Sequence, residues 1–168
     1  TEIEGDVTIN GVDITNLNGL DVLHSIGGSF TIQENESLTS LTGLENLVFV
    51  GGDLDISGNP VLQTITALNS LTMVSGGLIF WTNDSLSSLT GLENLTVIQD
   101  NLEVFHNPNL ESLTGLNNVS EINGHIWIGG ESGPTGNMGN PLLINRVVNL
   151  LFHYLLTIKR LVTTPLSV

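Results

Sequence analysis

The chain has 168 residues, 40% of them hydrophobic, but only 5% are aromatic and none is cysteine. That length supports one domain with its own core, and the core must be stacked aliphatic side chains, with no disulfide or thiolate metal site. The formal net charge is −14; every Asp and Glu lies between Glu2 and Glu131, and the three basic residues, Arg146, Lys159 and Arg160, all follow. A field of that sign repels phosphate backbones and anionic lipid, so nucleic acid is excluded as a partner.

Thr1 opens on an acidic, β-like stretch without an apolar leader, as a mature or excised piece would. Residues 3–13, IEGDVTINGVD, match the last half of a repeat unit, one residue short. Five gapless 24-residue units follow, at 14–37, 38–61, 62–85, 86–109 and 110–133. Within each unit an apolar arm comes first: Ile14, Leu38, Leu62, Leu86 and Leu110 align, as do Leu17, Leu41, Ile65, Leu89 and Leu113. The columns of Leu20 and Leu92 and of Leu23 and Leu95 continue the arm, and Ile26, Val50, Val74, Ile98 and Ile122 close it. Gly27-Gly28, Gly51-Gly52 and Gly76-Gly77 then mark turns, where positive φ is cheap and is expected. A strand comes last in each unit, with alternating apolar pairs Phe30/Ile32, Leu54/Ile56, Leu78/Phe80, Leu102/Val104 and Ile126/Ile128. Asn35, Asn59, Asn83 and Asn107 form a column just after it, expected as a structural ladder.

A unit this short cannot bury its own apolar side, whereas stacked copies can. The expected fold is all-β: a right-handed parallel β-helix of 24-residue leucine-rich coils over residues 1–133. Parallel pairing advances about 4.8 Å per coil. In such a stack Leu92 is core, while Glu93, which shares a column with Asp21 and Glu45, faces water. After Gly133 the pattern stops. Residues 134–168 are expected as a loop plus an apolar capping segment, helical or an irregular strand pair, that covers the open end of the solenoid. Residues 142–162, LLINRVVNLLFHYLLTIKRLV, are interrupted by Arg146, His153, Lys159 and Arg160 and do not form a clean membrane span.

The string L-x-x-L-x-G-L-E-N-L, a Gly-rich turn, a short strand and N-P recur best at Leu38–Pro60 and Leu86–Pro108. They resemble the repeats of receptor L-domains, and the resemblance covers residues 3–133. It implies a leucine-rich surface protein of the microbial, cysteine-free type, secreted or at the cell surface. It also implies recognition or adhesion without catalysis and without a cofactor.

The residues themselves agree in offering no catalytic constellation. His24, His106, His125 and His153 lack helical metal-pair spacing, and no nucleophile elbow, P-loop or dinucleotide fingerprint occurs. Asp53 and Asp55 are a weak calcium candidate, with Glu103 expected on the same face. The outward positions of the strands say more. Ile79, Trp81, Phe105 and Trp127 fall on one face over three successive coils, with Glu103, His106 and His125 beside them. Exposed aromatics in such a row mark a binding site for protein or carbohydrate; the apolar tail is the competing cover for that face.

Two further patterns carry alternatives. Hydroxyl pairs Ser40/Thr42, Thr64/Thr66, Ser88/Thr90 and Ser112/Thr114 repeat in register. This is either ordinary cross-strand chemistry or the flat array of an ice-binding solenoid. Open solenoid ends and the C-terminal segment favour self-association, as in a subunit of a surface layer, stalk or filament. Sequons stand at Asn35, Asn83, Asn94 and Asn118.

Overall fold

A computed structural model describes residues 1–129. The 133/134 domain boundary and the capping segment expected beyond it lie outside the described residues. What is described is a stack of parallel coils with two sheets running along it. Short strands β1 (Glu2–Ile3), β3 (Ser25–Ile26), β5 (Phe49–Val50), β7 (Met73–Val74), β9 (Val97–Ile98) and β11 (Glu121–Ile122) pair in that order. The longer strands β2 (Val7–Ile9), β4 (Phe30–Gln33), β6 (Leu54–Ser57), β8 (Leu78–Trp81), β10 (Leu102–Phe105) and β12 (Ile126–Ile128) pair likewise. Parallel neighbours need a crossover of a dozen or more residues, which the remainder of each coil supplies.

The register is the one the repeat dictates. Phe30 faces Leu54, Leu54 faces Leu78, Leu78 faces Leu102 and Leu102 faces Ile126. Val7 faces Phe30 and Glu2 faces Ser25, so the half coil at the start is one residue short against the others. The third side of each coil is less regular. Among the described residues it holds isolated bridges, Ser40 to Thr64 and Ser88 to Ser112, and a 3-10 turn at Thr66–Leu68.

The core is mostly aliphatic, with Phe30 and Phe80 among its fully buried side chains. Leu38, Leu62, Leu86 and Leu110 are fully buried, as are Leu44, Leu68 and Leu92. Ile14 and Leu20, in the first full coil, are only partly buried because half a coil lies beneath them. The Asn column is buried with the core. Asn59 Oδ1 accepts from Asn35 N (3.2 Å) and Nδ2 (2.9 Å), and Asn83 Oδ1 accepts the same pair from Asn59 at 3.3 and 3.2 Å. Asn107 Oδ1 accepts from Asn83 N at 3.0 Å. Each Nδ2 also donates to a strand carbonyl of the coil below, Ile32 for Asn59 and Ile56 for Asn83. The ladder is therefore polar along its length, and Asn35 Oδ1, at its N-terminal end, has no hydrogen-bond partner.

The paired glycines correct the sequence-based expectation. None of Gly27, Gly28, Gly51, Gly52, Gly76 and Gly77 has positive φ. A Cβ on Gly51 would fall on the Gly27 carbonyl oxygen of the coil below, so these turns need glycine because stacked backbones nearly touch. Positive φ belongs instead to the glycine of the leucine arm, such as Gly91 at +117°.

Candidate ligand-binding face

The long strands bury Leu78/Phe80 and Leu102/Val104 and turn the intervening residues outward. Parallel register then sorts the outward residues into two rows. Asp55, Ile79, Glu103 and Trp127 succeed one another in the first. Ser57, Trp81 and Phe105 succeed one another in the second. Of the residues singled out by sequence, Ile79, Trp81, Glu103, Phe105 and Trp127 thus share one face of β8, β10 and β12, and the alternation of the strand puts them there.

The aromatic rings make contacts between neighbouring coils. Phe105 meets Trp127 edge to face at 4.7 Å between ring centroids. His106 meets Trp81 at 6.4 Å, and His125 lies 6.5 Å from Trp127. The two histidines sit at opposite ends of the strands, His125 before β12 and His106 after β10. Trp81 and Trp127 remain 52% and 50% exposed, which is unusual for the largest side chain and leaves ring surface uncovered within the described residues.

Backbone geometry shapes the rim. The residue that follows β4, β6, β8, β10 and β12 is left-handed, at Glu34, Gly58, Thr82, His106 and Gly129. Thr82 at φ 56° and His106 at φ 49° hold a conformation that side chains with a Cβ rarely adopt. This turns the chain into the Asn ladder directly beside Trp81 and Phe105.

Charge on the face is almost all negative. Glu103 Oε1 lies 3.4 Å from His125 Nε2, an ion pair only when the imidazole is protonated. Asp55 is half-buried; that burial raises its carboxyl above the usual range, a Ser57 hydroxyl bond lowers it, and neighbouring Asp53 raises it. Asp53 is committed elsewhere, since its Oδ1 accepts the Gly77 N–H at 2.7 Å. Among the described residues no group of three or more acidic or histidine side chains can hold a metal ion.

Other surfaces are accounted for differently. The hydroxyl pairs bond within their own coil, Ser40 to Thr42 at 2.9 Å and Ser88 to Thr90 at 3.1 Å. The sequons divide: Asn35 and Asn83 are sealed in the ladder, whereas Asn94 and Asn118 are exposed and donate to Asn69 O and Glu93 O. Sequence reasoning missed a second outward column, half-buried Phe49, Met73 and Val97 on the short-strand sheet. Two-residue strands give no alternation to read. A shallow hollow at its start is lined by Glu2, Ile3, Glu4, His24, Val48 and Phe49, away from the tryptophans.

No helix among the described residues is long and apolar enough to cross a membrane. In comparison with known proteins, the receptor L domain family matches residues 1–87. No curated protein and no solved structure matches the chain.

Proposed function

Because the chain belongs to the receptor L domain family, a ligand-binding and non-enzymatic domain type, we propose that it is a secreted or cell-surface recognition module whose ligand docks on the outer face of β8, β10 and β12. The observation that carries this reading is the pair of half-exposed tryptophans, Trp81 and Trp127, around Phe105. Uncovered aromatic surface of this kind is typical of interface hot spots. The face is built on paired strands, so it is rigid and loses little entropy on binding. Nothing in the chemistry of the face calls for a metal, so binding is expected to survive chelation.

The test is a ligand screen of the purified chain against a glycan panel and surface extracts. The Trp81→Ala/Trp127→Ala double variant is run beside it, and circular dichroism checks the fold. Loss of binding with an unchanged spectrum supports the proposal. Undiminished binding by the double variant removes the tryptophan face from consideration.

A further inference from the structure

The ligand-binding face carries aromatic rings and carboxylates but no cation of its own. Among residues 1–145 there is no lysine or arginine. On the face itself, Glu103 stands in register between Ile79 and Trp127, one row from Trp81 and Phe105. Asp55 occupies the same row two coils away. Among the described residues the nearest group that can carry positive charge is His125, at 3.4 Å from Glu103 and 59% exposed, and it is charged only when protonated. A carboxylate beside Trp127, on a face that also bears Trp81 and Phe105, is poorly suited to a neutral sugar and well suited to a flat cation. Guanidinium stacks on aromatic faces and pairs with carboxylate through two parallel hydrogen bonds, which ammonium does not do.

We infer that the partner docking on this face is a basic protein segment that presents an arginine to Glu103 between Trp81 and Trp127. This rests on the reading of the face as the ligand site and adds the chemistry of the ligand. Charge complementarity is the argument for it: the surrounding rod is acidic throughout, so a basic segment is steered towards it from a distance. His125 then acts as an internal competitor, because a protonated imidazole occupies the same Glu103 oxygen. Asp55, already disfavoured as an anion by burial, gains a counter-charge when the segment binds.

The chain contains two tryptophans, and both are on this face, so intrinsic fluorescence of the full chain reports on the site alone. The probe is a hexapeptide with two arginines, compared with the same peptide carrying glutamine and with a neutral hexasaccharide. The arginine peptide is expected to shift tryptophan emission saturably, with an affinity that weakens as salt is raised. Glu103→Gln should weaken it about tenfold, equivalent to about 1.4 kcal/mol. Glu111→Gln, the same charge change on an exposed residue off the face, should leave it within about twofold, since distant exposed charges are screened. His125→Ala should tighten binding. If the neutral sugar or the glutamine peptide shifts emission as strongly, and Glu103→Gln is without effect, the face remains a ligand site but the arginine inference falls. If no probe shifts emission, acrylamide quenching separates the failures. Tryptophans open to quencher overturn the arginine inference alone, whereas shielded tryptophans mean that the face is covered, and both readings fall.

Discussion

Leu92 is fully buried in a column between Leu68 and Leu116, so its truncation leaves a cavity that neighbouring coils cannot close without losing their own register. Leu92→Ala is expected to cost about 2–5 kcal/mol in a urea melt. Glu93 is exposed, as its column in the sequence implied, but it is not idle: its Oε2 accepts the Gly91 N–H at 2.8 Å, and Glu45 does the same for Gly43. Glu93→Ala is therefore expected to cost about 0.5–1 kcal/mol, the worth of one partly exposed hydrogen bond, rather than nothing. A larger loss for Glu93→Ala than for Leu92→Ala would contradict the register. Asp55 gives a pH signature. Its carboxyl is raised above 3.8 in the fold, first by burial. The folded chain then holds this proton more tightly than the unfolded chain, so stability falls as pH rises from 3.8 through the raised value, and the cost is complete at neutral pH. Asp55→Asn, which can still accept the Ser57 hydroxyl, should raise the urea midpoint at neutral pH, with the gain disappearing below pH 3.8. An equal gain at all pH values would show that burial of the charge is not the cause.

At the scale of the element, the Asn ladder is what locks one coil to the next on the polar side of the core. Asn83 serves both neighbours: it accepts from Asn59 and donates to Ile56 O and Asn107 Oδ1. Asn83→Ala leaves several buried donors and acceptors without partners at about 1–3 kcal/mol each, so a loss of about 3–5 kcal/mol is expected. Asn35→Ala should cost less, because its Oδ1 has no partner to lose and its backbone bond to Asn59 survives. Thermal melts of the two variants rank the positions; equal losses would mean that the ladder is not directional. Burial in the ladder also closes off the Asn35 and Asn83 sequons, whereas Asn94 and Asn118 stand exposed.

At the scale of the whole molecule, the described residues form an acidic rod held by apolar stacking and backbone pairing. Among the described residues the one side-chain ion pair recorded is Glu103 with His125. Self-repulsion at a formal charge of −14 opposes compaction. Raising sodium chloride from about 10 mM to about 0.3 M shortens the screening length severalfold and should raise the urea midpoint. A midpoint that falls with salt would indicate that attractive surface pairs dominate.

The coil length, the inward columns, the Asn ladder and the outward aromatic row were legible from sequence by itself. Each is a consequence of a fixed period: once the 24-residue step is known, like residues must stack, and strand alternation assigns inside and outside. Tertiary structure alone decided the rest. Only stacked backbones reveal that Gly51 is required by the approach of Gly27 and not by its own φ. Only side-chain reach across a turn shows that Glu93 caps Gly91. Only the juxtaposition of neighbouring coils puts Phe105 against Trp127 at 4.7 Å and His125 against Glu103. Periodicity fixes which residues share a column; the distances between atoms of adjacent coils, on which hydrogen bonds and ring contacts depend, are set by how tightly the backbones pack.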